Sequence, residues 1–178
     1  MKCCAERILY CNVFAVYVID SRSLPKTDVL LPEGHACIAS SIRDFPYGAT
    51  LGPMAFKKFN RRFEKGDRCF LFYYKKRMVY YAWISFRQCP FMVLANNAAY
   101  LYNAYTYPDF RRKNIHTYML RQRLRYIKKA GREKGIISIA FLNTAARHVV
   151  ETKFVIRQKR FVTQVLFLGK PFYIQHKK

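Results

Sequence analysis

The 178-residue chain carries 33 lysines and arginines against 10 aspartates and glutamates, a net charge of +23. Hydrophobic residues make up 52% of the sequence and aromatic residues 17%, which excludes a disordered basic tail and predicts a folded protein. The length predicts one domain with a core of its own. The charge excess predicts an anionic partner, such as a nucleic acid, an acidic protein or a phosphorylated cofactor.

Local sequence argues against two further classes, membrane-spanning proteins and metalloproteins. The longest apolar run near the N-terminus, Val13 to Ile19, is far shorter than the roughly 20 residues of a membrane span. It also lacks the small-residue cleavage site of a signal peptide. The six cysteines form no C-x-x-C pair, which predicts reduced thiols and no metal site. A cytoplasmic protein is therefore expected.

The first half of the chain alternates strand-type runs with one helix-type run. β-Branched and aromatic residues indicate the strands, and apolar residues at helical spacing indicate the helix. The predicted elements are a strand at Arg7 to Asp20, a connector at Ser21 to Gly34, a strand at His35 to Ile42, a loop at Phe45 to Pro53, a helix at Met54 to Lys65 ended by Gly66, and a hairpin of strands at Arg68 to Tyr74 and Met78 to Phe86. Residues 1–34 are assigned to the same domain as residues 35–178, because they could not form a core alone.

The second half predicts a strand, a helix and a second strand in direct succession. Its elements are a strand at Ala98 to Tyr107, a helix at Asn114 to Ala130, a turn bracketed by Gly131 and Gly135, a buried strand at Ile136 to Leu142, a helix at Asn143 to Thr152, and a closing hairpin of Phe154 to Gln158 with Phe161 to Leu168. The strand–helix–strand unit should form a right-handed parallel crossover. The fold class is therefore α/β, with an α+β mixed sheet.

The junction at Tyr107 to His116 is the first candidate site. A strand that stops at Pro108 and turns into a helix directs unpaired backbone N–H groups at whatever lies in front of that helix. Arg111, Arg112 and Lys113 place three cations at the same point. The stretch therefore predicts an anion site, with a solvated basic turn as the alternative.

Residues 108–116 resemble the coenzyme A pyrophosphate loop of the GNAT acyltransferases, whose usual form is P-x-[YF]-[RQ]-G-x-G-[IL]-[GA]. The matching residues are Pro108, Phe110, Arg111 and Ile115. Arg112, Asn114 and His116 stand where the form has glycine, glycine and a small residue. Asn tolerates the left-handed backbone that glycine allows, whereas Arg and His do not, so the Arg112 and His116 side chains are expected to turn outward. The order of elements over residues 35–168 is also GNAT-like, which implies a mostly antiparallel sheet with one parallel β-α-β crossover at the cofactor cleft.

The resemblance implies an N-acyltransferase that moves an acyl group from acetyl-CoA or another acyl-CoA to an amine. The residues it implies for cofactor binding are Ala104, Tyr105, Thr106, Arg111, Arg112, Lys113, Asn114, Ile115, His116, Thr117 and Asn143. In this family a backbone N–H on the strand before the loop usually meets the thioester carbonyl, here at Ala104 to Thr106. Asn143 would contact the pantetheine arm, although an N-cap role alone explains it equally well.

No residue clearly matches the general acid or the general base of the reaction. The tyrosine that serves the family as general acid corresponds to Val150, and Asp67 is the only acidic residue between Gly66 and Asp109. The remaining catalytic candidates are Tyr105, Tyr107 and His148, with proton transfer through water as the alternative. Side chains alternate between the two faces of a strand, which places Tyr102 on the face opposite Tyr105 and Tyr107.

The basic helix predicts a surface for a macromolecular partner. Arg121, Arg125, Lys128 and Arg132 follow helical spacing and form one charged stripe. From Tyr107 onward 18 basic residues stand against 3 acidic ones, more than a cofactor requires. Two alternatives follow: a GNAT-type toxin that acetylates aminoacyl-tRNA, or an enzyme that takes its acyl group from an acyl carrier protein. A third is a non-catalytic basic binding protein. The oligomeric state is open, and a dimer is compatible with the sequence.

Overall fold

A computed structural model of the chain describes residues 9–22, 24, 34–47, 52–167 and 170–176. Within these residues it contains eight strands and three α-helices. The strands are β1 (Leu9–Asp20), β2 (His35–Ala39), β3 (Arg68–Tyr74), β4 (Arg77–Ser85), β5 (Ala98–Thr106), β6 (Lys134–Ala140), β7 (Ile156–Phe167) and β8 (Lys170–His176). The helices are α1 (Pro53–Glu64), α2 (Ile115–Lys129) and α3 (Thr144–Lys153). Short 3₁₀ turns follow β2 at Ile42–Asp44 and β5 at Pro108–Phe110.

All the described strands form one sheet in the order β2-β3-β4-β5-β6-β1-β7-β8. Neighbouring strands run antiparallel except β5 and β6, which are parallel and are joined through α2. The predicted α/β fold, with a mostly antiparallel sheet and one parallel β-α-β unit, is therefore confirmed. Within the described ranges, no helix is long and apolar enough to cross a membrane.

The N-terminal strand β1 lies inside the sheet rather than at its edge. It pairs with β6 on one side, over Phe14–Asp20, and with β7 on the other, over Leu9–Ile19. Its inward positions Ala15, Tyr17 and Ile19 are fully buried. β1 therefore joins the two halves of the sheet.

The core has two layers, one on each face of the sheet. Neighbouring residues of β3 point to opposite faces, so Phe70 packs with the apolar sides of α2 and α3, whereas Cys69 packs with α1. On the α1 side, Phe59 contacts the buried Trp83 ring with centroids 4.9 Å apart. α1 starts at Pro53, where the missing proline N–H costs nothing, and ends before Gly66, whose φ is +81°.

Several predicted boundaries are wrong, and the closing hairpin is the largest error. Residues 154–168 do not form a hairpin, because β7 continues through Lys159 and Arg160 and pairs along its length with β1. Neither residue favours a tight turn. The closing hairpin is instead β7–β8, and the predicted end at Leu168 lies outside the described residues. β2 also ends earlier than predicted, at Ala39.

The predicted turn bracketed by Gly131 and Gly135 is also misplaced, since Gly135 lies inside β6. A Cβ atom at Gly135 would lie 2.7 Å from Leu124 Cδ2 and 3.1 Å from Leu101 Cδ1. Glycine at this position lets α2 pack closely on the parallel pair. β6 therefore starts two residues earlier than predicted and ends at Ala140 rather than Leu142.

We expect Gly135→Ala to destabilise the protein by about 1–3 kcal/mol, because the added methyl group overpacks a closed core. Gly52→Ala is the matched control, since a Cβ atom there meets nothing within 4 Å. Its effect should stay within about 1 kcal/mol. Urea unfolding of both variants measures the difference, and equal stabilities would contradict the close packing of α2 on β6.

Candidate functional site

A β-bulge interrupts β5 next to the parallel pair. Tyr81 faces Tyr105 and Trp83 faces Tyr102, so the single residue Ala82 lies opposite both Asn103 and Ala104. Asn103 adopts a left-handed backbone with φ +49°. Because the extra residue reverses the alternation, Tyr102 and Tyr105 share one face of the sheet. The prediction that they lie on opposite faces is wrong.

β5 and β6 separate at the same point. Their parallel pairing runs from Ala98–Lys134 to Leu101–Ile137 and then stops. Each strand continues, β5 still paired with β4 and β6 still paired with β1. The edge of β5 that faces β6 is therefore left without a strand partner over residues 102–106. Ligands of open α/β sheets bind at such carboxyl ends of parallel strands.

This separation opens into a cleft of about 560 Å³, here called the β5–β6 cleft. Its walls are the end of β5, the loop and first turn of α2, and the first two turns of α3. Ten of the predicted cofactor-binding residues line it: Ala104, Tyr105, Thr106, Arg111, Arg112, Asn114, Ile115, His116, Thr117 and Asn143. Lys113, the eleventh, lies outside the lining, with its ammonium 4.9 Å from the centre of the Phe110 ring.

The start of α2 has the features of an anion site. Arg112 and Asn114 both adopt left-handed backbone, with φ +60° and +57°, where the GNAT loop form has glycine. For Arg112 this conformation costs roughly 1–2 kcal/mol. The Asn114 side chain makes no capping hydrogen bond, and the first turn of α2 contains no acidic residue. The positive end of the helix dipole therefore faces the cleft without a negative group of its own.

The β3–β4 hairpin holds this loop in place. The Phe110 ring lies 5.7 Å from the Tyr74 ring and 5.8 Å from the Arg77 guanidinium. Arg111 folds back, and its Nε donates a 3.2 Å hydrogen bond to the Thr106 carbonyl. These contacts join the loop to the β3–β4 hairpin and to the end of β5.

His116 points inward, so its predicted outward orientation is wrong. It lies in the first turn of α2, and its ring packs 6.1 Å from that of Tyr80. Burial, and secondly the nearby Arg123 guanidinium, lower the pKa of His116 to about 4. His116 is therefore neutral at pH 7. The Arg112 side chain is exposed, as expected.

Of the three catalytic candidates, Tyr105 belongs to the cleft lining and the other two do not. The Tyr105 ring lies on the face of the sheet that it shares with Tyr102, 5.6 Å from the Tyr81 ring and 5.3 Å from the Tyr107 ring. His148 is exposed on α3 and is also outside the lining. Val150 is fully buried in the core. The described cleft lining contains no carboxylate.

Asn143 caps α3, because its Oδ1 accepts a 3.1 Å hydrogen bond from the Ala146 N–H. It also lines the cleft, together with Ala145, Ala146 and Val149, which the sequence reading missed. A usable signal was present: in the helix after Asn143, Ala146 is three positions on and neighbours it on the helix surface, and Val149 in turn neighbours Ala146. Small residues there leave the cleft open.

The predicted basic stripe on α2 is wrong in part. Arg121 is only 5% exposed and therefore does not belong to a surface stripe. Arg132 is half-buried, with its guanidinium 5.6 Å from the Phe86 ring. Arg125 and Lys128 are exposed. The buried side of α2 is wide enough to include arginines, which helical spacing alone could not show.

The end of α1 holds the bulge of β5. In the amide orientation that satisfies its hydrogen bonding, the Asn103 Oδ1 accepts from the two terminal nitrogens of Arg62, at 2.7 and 3.0 Å. The Arg62 guanidinium lies 5.0 Å from the Trp83 ring and 5.2 Å from the Tyr102 ring. The Tyr102 hydroxyl donates a 2.5 Å hydrogen bond to Asp67. Tyr102 and Asn103, at the start of the bulge, are thus held by Arg62 of α1 and by Asp67 just after it.

A parallel β-α-β unit that separates in front of a basic helix N-terminus defines an α/β domain with an open cleft at the carboxyl ends of its parallel strands. The comparison with protein families is more specific. Residues 36–154, more than half of the chain, match the acetyltransferase (GNAT) family, so the chain belongs to that family. Its members generally use acetyl-CoA or another acyl-CoA as donor. No curated protein sequence is significantly similar to the chain.

Solved structures of GNAT proteins share the fold. A GNAT-family protein from Novosphingobium aromaticivorans is 16% identical, with a TM-score of 0.61 over 89% of this chain and 66% of that one. A GNAT-family acetyltransferase from Colwellia psychrerythraea is 14% identical, with a TM-score of 0.56 over 94% and 57%. A tandem GNAT protein of clavulanic acid biosynthesis is 12% identical, with a TM-score of 0.60 over 93% and 55%. This chain thus spans about half to two thirds of their lengths.

We expect the bulge to depend on Asn103. Asn103→Val should destabilise the protein by about 2–3 kcal/mol, because a β-branched residue is strained at positive φ and the hydrogen bonds from Arg62 are lost. Asn103→Gly, which loses only the hydrogen bonds, should cost about 1 kcal/mol. Guanidinium unfolding of both variants measures this, and equal losses would show that the left-handed backbone is unimportant.

The half-buried His116, with its pKa lowered to about 4, should make stability depend on pH. Between pH 6.5 and 4 the unfolded chain binds a proton that the folded protein excludes, so stability is full above this window and is lost as the pH falls through it. We expect a loss of about 2 kcal/mol between pH 7 and pH 5. Asp20 and Asp44, whose pKa values are lowered to about 2, titrate mainly below this range.

Urea unfolding at the two pH values tests this effect. His116→Gln should remove most of the difference, whereas the exposed His148→Gln should retain it. A wild-type protein that is equally stable at both values would contradict the burial of a neutral imidazole.

Proposed function

We propose that this protein is an acyl-CoA-dependent N-acyltransferase that transfers an acyl group, with acetyl as the first candidate, to an amine. The observation that supports it most is the meeting of two features in the β5–β6 cleft. The unpaired edge of β5 and the uncapped N-terminus of α2 form adjoining walls of it. One can bind an extended amide-bearing arm and the other a diphosphate.

The residues of the loop fit the phosphates of coenzyme A. The backbone N–H groups of the first turn of α2 point along the helix axis toward the cleft. Arg111 and Arg112 line the same wall. An anion there meets the helix dipole and two cations, with no competing carboxylate in the lining.

Thr106 is the residue that we propose orients the acyl group. The N–H of Tyr107 donates to the Val79 carbonyl of β4 at 3.0 Å. Because successive strand residues direct their N–H and C=O groups to opposite edges, the polar backbone groups of Thr106 face the unpaired edge. The Thr106 carbonyl accepts from Arg111, which leaves its N–H for the ligand. Bound acyl-CoA would supply an activated thioester carbonyl beside this donor.

Removal of a proton from the amine has two candidate routes. The described lining contains no carboxylate, and His116, with its pKa lowered to about 4, is a weak base. Tyr105 is the remaining tyrosine of the lining; its ring lies on the Tyr102 face of the sheet, against Tyr107, and would reach the amine across the open edge of β5. We propose transfer through water or through this tyrosine pair.

Calorimetric titration with CoA and acetyl-CoA tests the binding half of the proposal. Arg111→Ala combined with Arg112→Ala should weaken affinity by about 10- to 100-fold, because charge-assisted contacts to phosphate are lost. Lys57→Ala with Lys58→Ala is the control of equal charge change, on the exposed side of α1. Failure of both ligands to bind at millimolar concentration would overturn the proposal.

Release of free CoA thiol in the presence of amines tests the catalytic half. A non-catalytic basic binding protein whose loop has lost cofactor binding would neither bind CoA nor release thiol from acetyl-CoA, so the two measurements separate that alternative. For a catalytic tyrosine pair, Tyr105→Phe should lower kcat by about 10-fold or more at unchanged CoA affinity. An unchanged kcat would assign the proton to water.

A further inference from the structure

Asp67, in the turn between α1 and β3, is a buried carboxylate that the acyl-transfer proposal does not use. It is only 2% exposed. One oxygen, Oδ2, accepts a hydrogen bond from the Tyr102 hydroxyl at 2.5 Å. The other, Oδ1, has no hydrogen-bond partner among the described residues. A buried carboxylate oxygen without a partner is costly, so a ligand group that donates to it would be strongly favoured.

Asp67 lines a separate cavity of about 320 Å³, here called the Asp67 cavity. Inside it, the Tyr100 and Tyr102 rings stack in parallel with centroids 5.1 Å apart. Arg62, half-buried, and Lys65, exposed, also line it. The lining thus combines a buried carboxylate, an aromatic wall with the Arg62 guanidinium against the Tyr102 ring, and an exposed lysine.

This charge arrangement selects a zwitterion. An ammonium group suits the inner end, because it can donate to Asp67 Oδ1 and pack against tyrosine rings. An anionic group suits the mouth, where the exposed Lys65 provides an ammonium donor and Arg62, whose terminal nitrogens bond Asn103, adds positive charge. A simple cation would meet repulsion at the mouth, and a simple anion would meet it at Asp67. We propose that the Asp67 cavity binds the ammonium and carboxylate of an α-amino acid head group.

The position of the cavity connects it to the β5–β6 cleft. Tyr100 and Tyr102 face the α1 side of the sheet, whereas the cleft lies on the α2 and α3 side. β5 is a wall of both, and the sheet is open between β5 and β6 beyond Leu101. Tyr102 and Thr106 lie roughly 10–13 Å apart along the strand. If the proposed function holds, the acceptor is a molecule with an amino acid head group, which the Asp67 cavity binds, and a second amine on a flexible chain, which reaches the β5–β6 cleft.

Four probes on related carbon chains test the head-group requirement with the full-length protein. L-Lysine and L-norleucine have both charges of the head group, cadaverine has only ammonium groups, and hexanoate has only the carboxylate. In ¹H–¹⁵N spectra, both amino acids should saturate and shift the amides of Asp67, Ser85 and Gln88. Cadaverine and hexanoate should not do so at the same concentrations. The absence of saturable shifts at these amides with either amino acid at tens of millimolar would overturn the proposal.

Asp67→Asn tests the carboxylate with little change of shape. Norleucine affinity should fall at least about tenfold, the effect of losing a charge-assisted contact. Glu64→Gln, an equal charge change at the exposed end of α1, should leave the affinity unchanged. Unchanged affinity in Asp67→Asn would show that Oδ1 is merely hydrated and would overturn the proposal. If Asp67→Asn does not fold, the amide shifts of the wild-type protein with the four probes decide whether the cavity binds the head group.

The two proposals fail in different experiments. Loss of CoA binding would overturn the acyltransferase, but norleucine would still shift the amides around Asp67. If CoA binds, acetyl transfer to lysine should have a KM at least about tenfold lower than transfer to cadaverine. Equal KM values together with head-group binding would separate the cavity from the acceptor and overturn that part of the inference.

Discussion

The separation of β5 from β6 is the constraint on which the rest of the site depends. Two parallel strands that stay paired to their ends leave no room between them, whereas here pairing stops after Leu101 and Ile137. Each strand keeps its outer partner, so the sheet remains whole while its centre opens. The bulge at Asn103 belongs to the same event, since it directs the end of β5 away from the regular register. The cleft is therefore a property of the backbone, and the side chains adapt to it.

The few carboxylates of this basic chain join separate elements of the fold through hydrogen bonds. Burial opposes ionisation of Asp20, but hydrogen bonds from Arg157 and Arg22 lower its pKa to about 2. Glu151 binds the Tyr17 hydroxyl and Lys159, at 2.6 and 2.7 Å, and so joins α3 to β1 and β7. Asp20, the buried one of the two, has both oxygens engaged within the protein. Asp67 differs because half of its hydrogen-bonding capacity is left for something else.

The sequence could predict the elements but not their register. The helix at 53–64 and the β3–β4 hairpin were predicted to within a residue or two, since periodicity and glycine report local structure directly. The bulge could not be predicted, because Asn103 stands in an ordinary run of strand formers. The burial of Arg121 could not be predicted either, because a residue's charge does not show how much of the helix circumference packs against the sheet. β7 was divided in two because its continuity comes from pairing with β1, a partner distant in sequence.

The internal position of β1 has a consequence for how the protein folds. The first described strand must be in place before β6 and β7 can be held in one sheet, and the Tyr17–Glu151 hydrogen bond joins residues 134 apart in sequence. Contacts of such long range slow folding. During synthesis, β1 would leave the ribosome as an apolar segment with two open edges and would wait for most of the chain. The order of assembly therefore leaves β1 exposed to aggregation until the later strands of the sheet arrive.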